Sequence, residues 1–284
     1  MSWTGYANES WNYSPAPVEN GDRGSLNVFL VALNPGSGSG RNKGRIRISG
    51  SSTDTVVAIC ICTFRRPAGL RRLLACLASQ TFSDVPHPRM AVIVVDNEGS
   101  RENRQICREY RIPAFESLTY VVEQQQGISY ARNACIDNLP DRTRFVAMVD
   151  DDESPDSAWL NHLLLAQYSS GADVVVGPTV PEFEENTASW IQETGYFAKP
   201  HNPHCFEDLQ ADPPAATCNV LINGDIFTKL GLRFDPLLAL SGGEDKLLFQ
   251  DIKLRGYKFV WAARATVTES VPRGSAHWDA WAAP

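Results

Sequence analysis

The chain has 284 residues, a formal net charge of −7 and 43% hydrophobic residues, enough apolar content for a sizeable core in one large α/β domain or two small ones. The acidic balance argues against a general nucleic-acid binder, which needs a basic footprint to neutralise phosphates, although residues 65–72 form a local arginine-rich stretch. No run approaches the roughly 18 consecutive apolar residues of a membrane span, and residues 1–10 lack the apolar centre of a secretory signal, so a soluble, cytoplasmic protein is expected.

Residues 1–54 are rich in Gly, Ser, Asn and Pro. One apolar stretch, 28–33, has strand length, and the Gly/Ser run 34–40 leads into Arg-Asn-Lys-Gly. That run fails the spacing of a phosphate-binding loop, because Lys43 is followed by Gly44 and no Ser or Thr is placed to hold magnesium. The composition predicts a flexible segment ahead of one domain spanning 55–284.

From Thr55 the pattern alternates. Residues 56–62 form a continuous apolar run of strand length, and 66–80 place Leu70, Leu73, Leu74 and Leu77 at helical spacing. A second buried strand over 90–95 ends in Asp96-Asn97, and a polar helix over 101–110 leads to a third strand at 118–123. A helix over 127–138 and a fourth strand over 145–149 complete the series. Such alternation predicts a mostly parallel sheet flanked by helices on both faces, with ligands bound at the carboxyl ends of the strands. Cys60 and Cys62, two apart in the first strand, should face the same way as small buried hydrophobes. The seven cysteines are scattered without a C-x-x-C pair, which fits a reducing compartment.

The strand ends carry the polar residues. The first gives Thr63-Phe64-Arg65-Arg66, the second Asp96-Asn97, and the fourth Asp150-Asp151-Asp152-Glu153. Four acids in a row repel one another, and a divalent cation resolves the conflict; carboxylates with waters and phosphate oxygens suit magnesium or manganese. A competing reading makes them the acidic start of a helix beginning at Ser154-Pro155-Asp156, which accounts for Asp156 and Glu153 but not for three aspartates. Further on, Gly242-Gly243-Glu244-Asp245 opens an amphipathic helix. Its acid pair is either a capped first turn or a general base delivered on a rigid helix start.

These motifs, in order, resemble the inverting, GT-A fold glycosyltransferases of family 2, and within them the bacterial branch that builds exopolysaccharide repeat units of the succinoglycan type. The resemblance rests on residues 57–67, 92–97, 127–133, 149–155, 217–222 and 242–245, and covers roughly 55–275. It implies a donor-binding half at 55–155 and an acceptor and catalytic-base half at 156–284. Thr63, Phe64 and Arg65 would line the nucleotide base, with Asp96 accepting a hydrogen bond from a uracil ring. Arg132 would meet donor phosphate or position the acids. Asp152 would ligate Mn2+ or Mg2+, Asp150 would reach the ribose or the metal, and Asp151 would join the donor site. Asp245 would be the general base and Glu244 its orienting neighbour. The donor would be a UDP-sugar and the acceptor a saccharide or lipid-linked saccharide, with peripheral contact at the inner membrane.

The acceptor surface is expected over 181–216, with His201 and His204, where Trp190, Tyr196, Phe197 and Phe206 either pack as core or give one or two faces to a bound sugar. After residue 278 such enzymes are expected to continue into basic helices, where this sequence has only Asp279 to Pro284, and His277 is read as a surface residue rather than a metal ligand. A sugar-nucleotide pyrophosphorylase would need a Gly-rich basic loop after the first strand, which residues 63–67 do not supply. An inactive nucleotide-sugar binder is disfavoured by the presence of both the aspartate run and the base.

Overall fold

The computed structural model describes residues 54–183 and 206–271. The N-terminal stretch 1–53 with its apolar run at 28–33, the acceptor candidates Trp190, Tyr196, Phe197, His201 and His204, and His277 lie outside the described residues.

The frame is a seven-stranded sheet in the order β3-β2-β1-β4-β8-β6-β9. It comprises β1 (Val56–Thr63), β2 (Arg89–Asp96), β3 (Ser117–Val122), β4 (Thr143–Val149), β6 (Val174–Val176), β8 (Asn219–Asn223) and β9 (Phe259–Trp261). Only β8 runs against its neighbours. The central strands are apolar at nearly every position because both faces are covered. Successive residues of β1 alternate between two cores. Val57, Ile59 and Ile61 join one cluster, while Ala58 and Cys60 join the other and Cys62 packs on its edge. The two cysteines thus face the same way, as their spacing predicts.

The first core is closed by α1 (Pro67–Ala78), α2 (Arg101–Glu109) and α4 (Trp159–Ser170). In α1, Pro67 occupies the first helical position, where its missing N–H is no loss, and Leu70, Leu73, Leu74 and Leu77 are all fully buried. Each such leucine contributes roughly 2 kcal/mol of apolar burial. The second core is closed by α3 (Ile128–Asp137), the short α5 (Asp225–Thr228) and α6 (Glu244–Leu254), through residues such as Cys135, Ile226, Phe249 and Ile252. Among the described residues no helix is long and apolar enough to cross a membrane.

A second, three-stranded sheet joins β5 (Glu153–Pro155), β10 (Val267–Val271) and β7 (Thr179–Phe183) in that order. It corrects the helix start read at Ser154-Pro155-Asp156. Those residues extend into β5, paired antiparallel with β10, and the helix begins only at Trp159. Asn219 of β8 joins the parts. Its Nδ2 donates to the carbonyls of Pro178 and Ala265, and its Oδ1 accepts from the Trp159 indole.

Candidate active site

A cavity of about 530 Å³ opens at the carboxyl ends of β1, β2 and β4. Cys62, Thr63, Phe64 and Arg66 form one wall, Asn97, Gln126 and Gly127 a second, and Asp150, Asp151 and Asp152 the base, with Leu240 at the rim. The loop 236–240 is seated on the start of α3, where Ile128 N–H donates to the Ala239 carbonyl at 3.0 Å. Gly127 permits that approach, since it sits at φ +136° and a side chain there would lie 2.6 Å from the Ala239 Cβ.

The three aspartates separate into different roles. Asp151 is 4% exposed. One of its oxygens accepts from the Thr63 hydroxyl at 2.8 Å and the other from Arg66 Nη1 at 3.0 Å. Its carbonyl packs so closely on α1 that a Cβ on Gly69 would lie 2.3 Å away. Asp151 and Thr63 therefore lock strand to helix while both also line the cavity. Asp150 and Asp152 remain half-buried at the cavity base. Arg66 Nη1 reaches Asp152 at 2.6 Å, and Arg132 Nη2 lies 3.6 Å from Asp150. Burial raises the Asp150 carboxyl above the usual range, Arg132 opposes the rise, and Asp152 adds to it.

Two further acids close in from the second sheet. Glu153 Oε2 accepts the Asp150 backbone N–H at 2.8 Å, and its Oε1 is buried without a hydrogen-bond partner. Burial, reinforced by Asp150, pushes Glu153 well above the usual range. Glu269 of β10 sits opposite Glu153 in the strand register, and burial with the Asp152 and Asp150 charges raises it as well. Sequence spacing gives no signal for Glu269, since it reaches the site only through the β5–β10 pairing. Arg66 has a signal, the arginine-rich stretch, but not an assigned role.

Asp96 is not among the residues that line the cavity. It is fully buried, and its two oxygens accept the backbone N–H groups of Glu98, Gly99 and Ser100, the Asn103 side chain and the Tyr120 hydroxyl. Burial pushes its pKa up, but these donors outweigh that and hold it below the ordinary range. Those five donors engage both of its oxygens. Its neighbour Asn97 lines the cavity instead, tied to the Glu123 and Gln125 carbonyls and to the Gly127 N–H. Phe64 is 40% exposed at the wall, and the Arg65 guanidinium lies 4.8 Å from its ring centroid. Arg65 is left-handed at φ 59°, a cost of roughly 1–2 kcal/mol for a residue with a side chain. It pairs with Glu98 at 3.2 Å, and it does not line the cavity.

Gly242 and Gly243, at φ +75° and +89°, turn the chain sharply into α6. The two acids that follow differ in setting. Glu244 is buried and ion-paired to Arg132, itself 8% exposed with the Phe234 ring beneath its guanidinium. Asp245 is half-exposed, with one oxygen accepting the Lys246 N–H at 2.7 Å, and its charge acts on Arg132. Glu244 is thus tied to Arg132 in a buried ion pair. Asp245 is the acid left accessible.

Among the described residues no group of three His, Cys, Asp or Glu side chains is arranged as a ready-made metal site. The donor set nevertheless fits a hard divalent ion. Asp150 and Asp152 offer carboxylate oxygens that repel one another, with Arg66 and Arg132 opposing them. Ions such as Mg2+ are commonly held by one or two carboxylates with phosphate oxygens and waters completing the shell.

Comparison with known proteins places these features. The chain is 32% identical over 215 residues to the succinoglycan biosynthesis protein ExoM of Rhizobium meliloti, an alignment covering 75% of this chain and 66% of that protein. It is 26% identical over 182 residues to the glycosyltransferase AglE of Haloferax volcanii, covering 64% of this chain and 56% of AglE. The chain therefore spans less than two thirds of the length of these relatives. Among solved structures, residues 1–349 of S. aureus TarS match with a TM-score of 0.59 at 16% identity, covering 76% of this chain and 60% of that one. The TarS complex with UDP-GlcNAc matches at 0.55 and 15% identity, covering 76% and 58%. These place the fold in the GT-A class. The family model for glycosyl transferase family 2 matches residues 58–229, more than half of the sequence, and the chain belongs to that family.

Proposed function

We propose that this chain transfers a sugar from a nucleotide-sugar donor, a UDP-sugar, to a hydroxyl acceptor with inversion at the anomeric carbon, the acceptor being a lipid-linked saccharide of surface polysaccharide synthesis. The observation that carries this is the set of acids about Arg132, a residue of the cavity wall: Asp150, with Asp152 beside it at the cavity base, and Asp245, half-exposed on the first turn of α6, whose charge acts on Arg132. The UDP and UDP-GlcNAc complexes of TarS and the succinoglycan role of ExoM support the choice of donor and acceptor class.

In this reading Phe64 and Asn97 flank the base and ribose, and Asp150 and Asp152 would hold a divalent ion, Mn2+ or Mg2+. Family 2 enzymes commonly depend on such an ion. When bound, it neutralises charge on the donor diphosphate. Arg66 sits beside the same carboxylates and adds a fixed positive charge where the leaving diphosphate collects its electrons. Arg132, clamped by Glu244, keeps Asp150 in place. Asp245 accepts the acceptor hydroxyl proton as that oxygen bonds to the anomeric carbon and the carbon–oxygen bond to the diphosphate breaks. The two reactants gain rate from being held in line rather than meeting in solution.

The test is turnover of a panel of nucleotide-sugars with manganese and with excess chelator. The reading expects sugar transfer or slow donor hydrolysis with one uridine donor, abolished by chelator and restored by metal. Full activity in chelator would overturn the metal assignment, and pyrophosphate-dependent formation of a nucleotide-sugar would favour a pyrophosphorylase.

A further inference from the structure

Helix α2 is divided by charge. Arg101, Arg104 and Arg108 recur on one face at three- and four-residue intervals, and Arg111 follows just past the helix end in the same series. Gln105 and Glu109 lie on another face, where Glu109 pairs with Arg71 of α1. The basic face borders a second cavity of about 300 Å³, against the edge strand β3 and lined by Arg104, Cys107, Arg108, Arg111, Tyr120 and Val122. This cavity shares no lining residue with the donor cavity.

Three guanidiniums around one hollow repel one another, and in a chain of net charge −7 counter-ions are not scarce. Yet no carboxylate lies within ion-pair distance of Arg104, Arg108 or Arg111 among the described residues. Asp96 lies behind Tyr120, but its oxygens are already saturated by the five donors described above. The floor does not oppose an anion either, because burial pushes the Cys107 thiol up to about 12 and leaves it neutral. Arg104 is held over the Tyr120 ring at 5.4 Å, which fixes one wall, while Arg108 and Arg111 are exposed and have no ion-pair partner among the described residues. Planar guanidiniums converging on a pocket suit the tetrahedral oxygens of phosphate.

We propose that the Arg104–Arg108–Arg111 cavity is a binding site for a phosphate-bearing group, separate from the donor site. Two sources share that chemistry, the headgroup of an anionic phospholipid and a soluble phosphate or diphosphate. The inference stands apart from the glycosyltransferase reading, since it uses none of the donor-site residues.

Inorganic pyrophosphate binding to the full chain, measured by calorimetry, and cosedimentation with vesicles distinguish the sources. The vesicles contain phosphatidylglycerol with phosphatidylcholine, against phosphatidylcholine alone. The variant is Arg108→Gln/Arg111→Gln, both exposed positions, with thermal unfolding as the check on folding. Pyrophosphate binding weakened at least tenfold in the variant, with no vesicle binding, identifies a soluble phosphate ligand. Salt-sensitive binding to the anionic vesicles alone, lost in the variant, identifies a lipid headgroup. A pyrophosphate signal that survives this variant but vanishes in Arg66→Gln belongs to the donor cavity and overturns the proposal. So does the absence of binding to either probe.

Discussion

Replacing Arg132 with Gln removes the cation that faces Glu244 inside the molecule. Arg132 is 8% and Glu244 5% exposed, and Glu244 Oε2 already lacks a hydrogen-bond partner. With the guanidinium gone, Glu244 is left with a buried charge and nothing to oppose it. Breaking such a pair from one side costs roughly 3–5 kcal/mol. Glu244→Gln should cost less, because Arg132 keeps Asp150 at 3.6 Å. In the double variant neither group is stranded, so its cost should fall short of the sum of the singles by about 1–3 kcal/mol. Urea unfolding of the four proteins measures this, provided the midpoint moves while the slope stays constant. Two single variants that each cost under about 1 kcal/mol and simply add would refute the reasoning. The pair would then be solvated in solution, and Glu244 would be free for the chemistry now assigned to Asp245.

Asp152→Asn should weaken metal-dependent nucleotide binding with little change in stability, whereas Asp151→Asn should lower the unfolding midpoint, because Asp151 joins Thr63 to Arg66; calorimetry and thermal melts separate the two. The pH dependence of the metal-free protein follows from Asp150, Glu153 and Glu269, whose folded pKa values all lie above the usual range. The folded state holds these protons more tightly than the unfolded chain, so their contribution is full below the ordinary carboxylate value of about 4 and is lost as pH rises through the raised values. Thermal stability without metal should decline as pH rises above the ordinary carboxylate value of about 4, and added manganese should flatten the decline; a metal-free stability that rises over that range would contradict the carboxylate cluster. Asp96, with its depressed value, acts in the opposite sense and only at lower pH.

Much of the frame was legible because burial on both faces leaves an unmistakable pattern. The continuous apolar run of β1 and the leucines of α1 state their environment in the sequence, and the boundaries fall within a residue or two of those read. The second sheet was not legible. Its strands are three to five residues long and come from distant parts of the chain, so no local period marks them. Glu269 was missed for that reason. The site suffered from a different blindness. A run of aspartates reveals a concentration of charge, but not which carboxylate points into the cavity and which is tied to a helix. Asp151 and Asp96 both stand at strand ends in the sequence, but only the fold shows their partners, Thr63 and Arg66 in one case and a ring of N–H and O–H donors in the other. The glycine pair before α6 does announce a sharp entry to a helix, and the acid pair after it divides only when Arg132 is seen beside Glu244.

The most direct measurement is sugar transfer by Asp245→Asn set against its binding of a nucleotide diphosphate with manganese. Asparagine preserves the size of the side chain at the first turn of α6, and Asp150, Asp152 and Glu269 are untouched. Binding and the unfolding midpoint should therefore match those of the unmodified chain, while transfer falls by roughly two to four orders of magnitude, the usual worth of a positioned base. Transfer at a near-normal rate by Asp245→Asn would contradict the assignment. If Glu244→Gln were then the inactive variant, the base would be Glu244, and if neither change mattered, the acid pair would be no more than the first turn of a helix.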